Sequence, residues 1–266
     1  MCEQYDPKAE MKQSETRGMV LRVEHGSVYD GEGFRTVIFL KGCPLRCLWC
    51  STPESQSFEV ERAEDKTYGE VMTVADVMKI IRKDSCCYFV SGGGVTLSGG
   101  EILAQPKFTL ALLKAIWNEC FDVAIETSFF APWKVVNSIL PYVNTAFVDI
   151  KFFNAELHGK YAGRDNRLIL ENLLNTNELE KAPRLIIRIP VIPGINDAQQ
   201  ELESIGAFCS TLRHLHQVQL LPYHRLGTET YKRLGREYPL ADVMSPSPEQ
   251  MSRYRAILRK YIEQVI

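Results

Sequence analysis

Residues 36–50 read TVIFLKGCPLRCLWC, an apolar run that leads directly into three cysteines. The run 36–40 predicts a strand, because it consists of β-branched, aromatic and aliphatic residues. Cys43, Cys47 and Cys50 follow at the spacing C-x3-C-x2-C. Three thiolates on one short loop can bind three irons of a four-iron cluster and leave the fourth iron open. An open metal position is typical of a catalytic site rather than a structural one.

A zinc site is one alternative for this loop, and three unrelated buried thiols are another. Zinc takes four ligands, which usually come as one C-x2-C pair with a second, distant pair. The five histidines of the chain (25, 158, 214, 216, 224) all lie away from the loop in the sequence. The spacing therefore favours an iron–sulfur cluster.

Composition excludes several functional classes. With 266 residues, 45% hydrophobic and 24% charged, the chain has the size and composition of a globular protein with a large core. Its net charge of −2 predicts no nucleic-acid partner. No apolar stretch approaches the roughly 18–20 residues that span a membrane. Residues 1–17 are polar and are predicted to be a lead-in without a signal peptide, so we expect a cytoplasmic protein with reduced thiols.

Strands and helices alternate along the rest of the chain. Strands are predicted at 36–41, 95–98, 122–127, 145–151, 184–191 and 217–222, and helices at 73–83, 106–120, 132–140, 166–177, 198–212 and 247–264. This order predicts an α/β fold in which right-handed crossovers curl a parallel sheet into an open barrel. A further strand is predicted at 18–24, and residues 18–266 are expected to form one domain. Cys120 and Cys209 lie in apolar helix patterns and are predicted to be core residues.

Asp149 and Lys151 stand at alternate positions of the predicted strand 145–151 and so share one face. Two charges on a buried strand are costly unless they pair with each other or bind a ligand. An internal salt bridge and a ligand site both remain open at this point.

Gly99, Gly100 and Glu101 follow the predicted strand 95–98. Two glycines allow a ligand to approach the backbone closely, and a carboxylate can accept a hydrogen bond from an ammonium group. The alternative is an ordinary strand-to-helix turn with a surface glutamate. Because the motifs follow predicted strands, we expect them at the carboxyl edge of the sheet, where such barrels carry their sites.

The chain resembles the radical S-adenosylmethionine (SAM) enzymes, whose signature is C-x3-C-x2-C with an aromatic residue, here Trp49, before the last cysteine. It is most similar to the activating enzymes of glycyl radical enzymes, and above all to the pyruvate formate-lyase activating enzyme type. The stretches that carry this narrower resemblance are 91–101, 148–151, 187–194 and 220–224. They stand in the family's order within residues 18–264. The resemblance implies the radical SAM fold, a partial (β/α)6 barrel of TIM type.

The resemblance also implies a reaction. A reduced flavodoxin or ferredoxin passes one electron to the cluster, and SAM is cleaved to methionine and a 5′-deoxyadenosyl radical. That radical removes a hydrogen atom from a backbone glycine of a partner glycyl radical enzyme. Pyruvate formate-lyase is the simplest target, and a diol dehydratase, a choline lyase or another glycyl radical enzyme are the alternatives. The activating enzyme itself is expected to be a monomer. Two alternatives are a radical SAM enzyme that acts on a small molecule or another peptide, and a non-catalytic iron–sulfur electron-transfer module.

Site residues are assigned by the same resemblance. Contacts with SAM are expected from Gly99, Gly100, Glu101, Lys151, Arg188, Val191, His224 and Thr52. A monovalent cation beside SAM is expected at Glu126, Thr127, Asp149 and the backbone of Phe147. The pyruvate formate-lyase activating enzyme has aspartate where this chain has Glu126, which puts the cation site in question.

The resemblance further implies a partner-binding loop at Asp30, Gly31 and Gly33, with Glu32 where the family commonly has proline. Many activating enzymes carry a ferredoxin-like insert with two more clusters between the cysteine loop and the Gly-Gly-Glu motif. Residues 51–91 of this chain contain two cysteines, Cys86 and Cys87. Two thiols are too few for two clusters, so we expect a single cluster.

Overall fold

A mostly parallel sheet of eight strands organises residues 13–63 and 66–266, which the computed structural model describes. Including a separate pair, β3 and β4, the strands of the described residues are β1 (Arg17–Ser27), β2 (Arg35–Leu40), β3 (Glu61–Arg62), β4 (Thr67–Tyr68), β5 (Glu70–Thr73), β6 (Gly94–Gly99), β7 (Asp122–Thr127), β8 (Thr145–Asp149), β9 (Arg184–Val191) and β10 (Leu215–Pro222). Their order is β10-β9-β8-β7-β6-β2-β1-β5, while β3 and β4 pair with each other. β2 and β6 to β10 are parallel, which confirms the six predicted strands, and β1 and β5 are antiparallel additions.

The sheet is open, because its edge strands β10 and β5 do not pair with each other. Six parallel strands with connecting helices confirm the predicted partial (β/α)6 barrel. At one edge, the amides of Val218 and Leu220 donate to the carbonyls of Gln264 and Ile266, each over 2.9 Å. The end of the chain thus covers part of the β10 edge, which would otherwise expose unpaired backbone groups.

Helices connect the strands. They are α1 (Val74–Ile81), α2 (Ser85–Ser91), α3 (Pro106–Asn118), α4 (Trp133–Ile139), α5 (Ala155–Ala162), α6 (Arg167–Asn175), α7 (Gln199–Cys209), α8 (Thr228–Arg233) and α9 (Pro248–Leu258). The six predicted helices all begin within one residue of the prediction, but the last ends at Leu258 rather than at residue 264. The short helices α2, α5 and α8 were not predicted. Within the described ranges, no helix combines the length and apolar character that crossing a bilayer requires.

Most of the predicted N-terminal lead-in, residues 1–12, lies outside the described residues. The part that is described contacts the domain. The side-chain amide of Gln13 donates to the carbonyl of Ala111 over 2.9 Å, and Arg17 is already the first residue of β1.

The two faces of the parallel sheet differ in polarity. On β9, Leu185, Ile187 and Ile189 point into the main hydrophobic core between the sheet and the helices. Arg184 and Arg188 occupy the opposite, inner face, as alternation along a strand requires. The buried apolar cluster on that inner face is small and consists of Ala124, Phe147 and Ile186. The inside of the barrel is therefore a polar space rather than a packed core.

Among the described residues, the cysteines outside the loop 43–50 fall into two groups. Cys209 is buried, as predicted. The prediction for Cys120 is wrong, since it is exposed and has a φ of 59° in the turn after α3. A left-handed residue just past a helix end is a common stop signal, and it turns this side chain away from the core. Cys86 and Cys87 are exposed on α2.

Adjacent glycines before β6 test how tightly β2 and β6 pack. A Cβ atom at Gly93 would collide with the carbonyl oxygen of Phe34, whereas one at Gly92 would meet no atom within 4 Å. We expect Gly93→Ala to lower the free energy of unfolding by about 3 kcal/mol, because the strands must separate. Gly92→Ala should cost about 1 kcal/mol, since its φ of 70° is unfavourable for alanine. Urea unfolding measures both, and equal losses would contradict the close packing at Gly93.

Candidate active site

The cysteine loop leaves the carboxyl end of β2 and is held in place by backbone hydrogen bonds. The amide of Gly42 donates to Ser55 over 2.7 Å, and that of Arg46 donates to Ala162 over 2.8 Å. The amide of Leu48 donates to the carbonyl of Tyr161 over 3.0 Å. Ser55, just past the loop, and the end of α5 thus hold the loop in its shape through backbone contacts.

The three thiols of this loop lie in a poorly solvated environment. Burial raises the pKa of Cys47 to about 12 and also raises the pKa of Cys43 and Cys50. Without iron the thiols are therefore protonated at neutral pH, and cluster binding has to release their protons. In residues 13–63 and 66–266, no three His, Cys, Asp or Glu side chains converge on one point as the ligands of a single ion do. Thiolates that bind three different irons of a cluster have no such requirement.

Gly99 and Gly100 bring the end of β6 against the cysteine loop. Gly99 has a φ of 122°, and a Cβ atom there would collide with the carbonyl of Leu40. A Cβ atom at Gly100 would lie 2.5 Å from the carbonyl oxygen of Gly42. Any side chain at either position would push the loop away from the strand, which explains why glycine is needed.

The carboxylate of Glu101 is buried and links neighbouring strand ends. It accepts hydrogen bonds from the hydroxyl of Thr127 over 2.6 Å and from the amide of Leu103 over 3.1 Å. Its second oxygen accepts from the amide and the hydroxyl of Ser128, over 2.8 and 2.5 Å. Four donors satisfy a carboxylate fully. The alternative of an ordinary surface glutamate is therefore wrong, and Glu101 holds the ends of β6 and β7 together.

Two ion pairs lie at the same edge of the sheet. Lys151, two residues beyond β8, donates to Asp149 over 2.6 Å, so the salt-bridge alternative for this pair is the observed arrangement. Burial by itself lowers the pKa of Lys151, but the nearby Asp149 carboxylate and Cys47 raise it above the usual lysine value. The guanidinium of Arg188 pairs with Glu126. Burial raises the pKa of Glu126 against the opposing effect of Arg188.

Two adjoining cavities open between the cysteine loop and the strand ends. One, of about 280 Å³, is lined by Cys43, Glu101, Glu126, Thr127, Asp149, Lys151 and Arg188, among others. The second, of about 230 Å³, is lined by Cys50, Tyr223 and His224, among others. Thr52, Gly99, Gly100, Asp149 and Lys151 line both. The structure thus brings most of the predicted SAM residues together around one space beside the cysteines.

A larger cavity of about 490 Å³ lies on the inner face, toward the amino ends of β8 to β10. Its lining includes Gly31 of the predicted partner loop, Phe147 and Arg188. The loop is anchored through its backbone. Arg188 donates to the carbonyl of Tyr29 over 3.3 Å, and the hydroxyl of Thr96 donates to the carbonyl of Asp30 over 2.6 Å. Arg188 therefore connects this cavity with the one beside the cysteines.

Some predicted site residues lie elsewhere. Val191 belongs to the main core on the helical side of the sheet, so its side chain does not reach the two cavities. Gly33 packs against Gly93 rather than lining a cavity. Sequence reasoning missed Ser128, which binds Glu101, and Leu221, which lines all three cavities. Ser128 lies just past the end of β7 and Leu221 lies near the end of β10. That position at the carboxyl edge of the sheet is the sequence signal that could have identified them.

Comparison with known proteins shows the family. The Radical SAM superfamily matches residues 37–204. The isethionate sulfite-lyase activating enzyme of Oleidesulfovibrio alaskensis is 36% identical over 86% of this chain and 91% of its own length. The choline trimethylamine-lyase activating enzyme of the same organism is 31% identical over 93% of this chain and 96% of its own.

Solved structures agree with the sequence comparison. A domain of the pyruvate-formate lyase-activating enzyme from Bacteroides vulgatus is 28% identical, with a TM-score of 0.55 over 66% of this chain and 98% of that one. A radical SAM methyltransferase from Sphaerobacter thermophilus shares the fold, with a TM-score of 0.62 over 93% of this chain. The fold and the cysteine loop define a radical SAM protein. The chain belongs to the activating enzymes of glycyl radical enzymes within the Radical SAM superfamily.

Membership of this family implies a four-iron cluster and SAM, and the donor set fits both. Three thiols on one loop suit the cluster, and paired carboxylates and cations in the adjoining cavity suit the ammonium and carboxylate of a methionine group.

We expect Cys43→Ala to remove the cluster and Cys209→Ala to leave it in place. Each of the three loop thiolates binds one of three cluster irons, while Cys209 is a buried core residue remote from the loop in the sequence. Anaerobic iron and sulfide analysis with visible absorption measures both variants. The wild type should contain about four irons per chain. A content of eight or twelve irons, or an intact cluster in Cys43→Ala, would contradict the assignment.

Proposed function

We propose that Cys43, Cys47 and Cys50 hold a single four-iron cluster, and that SAM binds in the cavities between this loop and the ends of β6 to β10. The observation that carries the proposal is the juxtaposition of three thiols with a polar, charge-paired cavity at the carboxyl edge of a parallel sheet. When bound, the cluster supplies the one electron that cleaves SAM reductively and generates the radical for the partner glycine. The residues of the chain hold SAM in position and exclude water.

Separate roles follow for the charged groups. Glu101 already accepts four hydrogen bonds, so we assign it to positioning of the strand ends. Asp149 has one ion-pair partner, Lys151, among the described residues, and its carboxylate is about one-third exposed. It therefore has acceptor capacity for the ammonium group of SAM. Lys151 and Arg188 are cations beside the same cavity and suit the carboxylate of SAM.

The monovalent cation stays a prediction. Each of its two predicted carboxylates, Glu126 and Asp149, is paired with a cation of the chain. A metal cation would have to share these carboxylates with Arg188 and Lys151. Measuring SAM affinity in sodium, potassium and a bulky organic cation would decide the point.

The inner cavity is the proposed path for the glycine segment of the partner enzyme. Its volume of about 490 Å³ can admit a short backbone segment, and its lining combines apolar Phe147 and Ile186 with the polar Gln219. Arg188 and Leu221 line this cavity and also the one beside the cysteines. A glycine without a side chain can approach SAM from this side. Reduced thiols and a reduced carrier protein are consistent with a reaction in the cytoplasm.

A glycyl radical assay tests the function. The reconstituted protein, SAM and dithionite are incubated anaerobically with purified isethionate sulfite-lyase, choline trimethylamine-lyase or pyruvate formate-lyase. The expected result is SAM cleavage and a glycyl radical EPR signal in at least one of the three. Without SAM cleavage, the proposed site would be wrong. SAM cleavage without any radical signal would place the target outside this set.

The predicted partner loop, Asp30–Gly33, should serve the partner rather than SAM. Its anchors are the backbone carbonyls of Tyr29 and Asp30, so Asp30→Ala removes a side chain without releasing the loop. We expect this variant to keep its cluster, its SAM affinity and slow uncoupled SAM cleavage, but to lose most of its glycyl radical yield.

Ser27→Ala is the matched control. It removes the hydroxyl that donates to Asp30 over 2.5 Å but keeps the carboxylate. Its radical yield should remain near that of the wild type. Equal loss of SAM affinity and radical yield in Asp30→Ala would instead indicate a structural turn.

A further inference from the structure

Two segments of the chain flank the cysteine loop. On one side lies α5, whose last residues accept the amides of Arg46 and Leu48. On the other side lie residues 223–243. They pack closely on the loop, since a Cβ atom at Gly227 would come within 2.9 Å of the carbonyl oxygen of Cys50. We call residues 43–50, 155–167 and 223–243 together the loop-flanking surface.

This loop-flanking surface is basic although the protein is not. Its three segments contain eight lysine or arginine residues and five aspartate or glutamate residues, a net charge of +3, whereas the whole chain carries −2. Within it, Asp165 pairs with Arg167 over 2.9 Å and Glu229 pairs with Arg233 over 3.4 Å, while Arg236 pairs with Glu61 outside it. The remaining acidic residues are Glu156, Glu237 and Asp242.

Four of the basic side chains, Arg46, Lys160, Arg164 and Arg225, are exposed and have no carboxylate partner in the described part of the chain. Instead, Arg46 and Arg225 donate to backbone carbonyls over 2.7 and 2.6 Å, and Lys160 lies over the Tyr161 ring at 4.9 Å. These contacts orient the cations without cancelling their charge. The positive field over the loop is therefore available to a partner.

An apolar side chain lies within this basic surface. Leu226 is 80% exposed and precedes Gly227, the residue that packs against Cys50. A single exposed leucine is unremarkable on most surfaces. Here it lies beside the last cysteine and next to Arg225, so an apolar contact point and a positive charge adjoin the cluster ligands.

We infer that the loop-flanking surface docks the electron donor, and that this donor is a flavodoxin. The inference rests on the proposed cluster position. Electron tunnelling weakens steeply with distance, so a donor must dock near the cysteines, and their other side faces the SAM cavities. A flavodoxin presents an apolar flavin edge within an acidic rim, which complements Leu226 within basic residues. One electron leaves the reduced flavin and enters the cluster, and no covalent bond forms between the proteins.

Charge reversal on the holoenzyme tests the inference. In Lys160→Glu/Arg164→Glu, we expect the Kd for oxidised flavodoxin at low salt to rise at least about tenfold. The difference should shrink at 0.5 M salt, because screening weakens contacts between exposed charges. Stopped-flow reduction of the cluster by reduced flavodoxin should slow correspondingly. SAM cleavage driven by dithionite should stay within about twofold of the wild type, since dithionite needs no docking surface.

Lys181→Glu/Arg213→Glu is the matched control. It makes the same charge change at exposed positions near the amino ends of β9 and β10, away from the cysteine loop. We expect it to bind flavodoxin like the wild type. A second variant, Leu226→Ser, should weaken flavodoxin binding at both salt concentrations, because it removes an apolar contact.

Several outcomes would overturn the inference. Equal flavodoxin affinity in the two double variants would do so. So would a variant Lys160→Glu/Arg164→Glu that loses binding of ferredoxin but not of flavodoxin. A loss of glycyl radical yield with dithionite in that variant, at unchanged flavodoxin affinity, would assign the surface to another partner. Failure of the wild type to cleave SAM with dithionite would refute the proposed site instead. The flavodoxin affinities do not depend on SAM cleavage and would still decide the docking.

Discussion

The buried carboxylate of Glu101 is the interaction on which the site depends. A charge with 1% of its residue surface exposed is tolerable only when hydrogen bonds replace its hydration, and donors from Leu103, Thr127 and Ser128 do so. The backbone amide of Glu101 also donates to the carbonyl of Gly42 over 2.8 Å. One residue therefore connects the cysteine loop with the ends of β6 and β7. The position of the thiols relative to the cavity follows from this connection.

The inner face of the barrel stays polar because its charges are paired within the chain. Arg35 is fully buried and pairs with Asp122 over 2.6 Å, and Arg188 pairs with Glu126. Ion-paired side chains can stay buried without contact with solvent, and they do not pack together as apolar side chains do. This leaves space near the cysteines for a charged ligand such as SAM. The same arrangement lets Arg188 hold the backbone of Tyr29 and also line the cavity beside the cysteines.

Much of the site could be predicted, since its residues lie at fixed places relative to the strands. Cys43 follows β2, Glu101 follows β6 and Lys151 follows β8, and parallel strands bring such positions to one edge. Sequence reasoning failed where three-dimensional packing decides. It placed Cys120 in the core, although this residue is exposed in the turn after α3, and it did not foresee that alternation along β9 turns the side chain of Val191 into the helical core. It also missed the short helices α2, α5 and α8.

By itself, the sequence determined the family, the order of strands and helices, and the residues with metal-binding or charged side chains at strand ends. These are properties of local pattern and spacing, which survive without knowledge of the fold. Only the tertiary structure decided which charges neutralise each other and which face each strand residue presents. It also decided that α5 and residues 223–243 flank the cysteine loop. Those outcomes depend on contacts between residues far apart in the chain, and such contacts leave no periodic signal in the sequence.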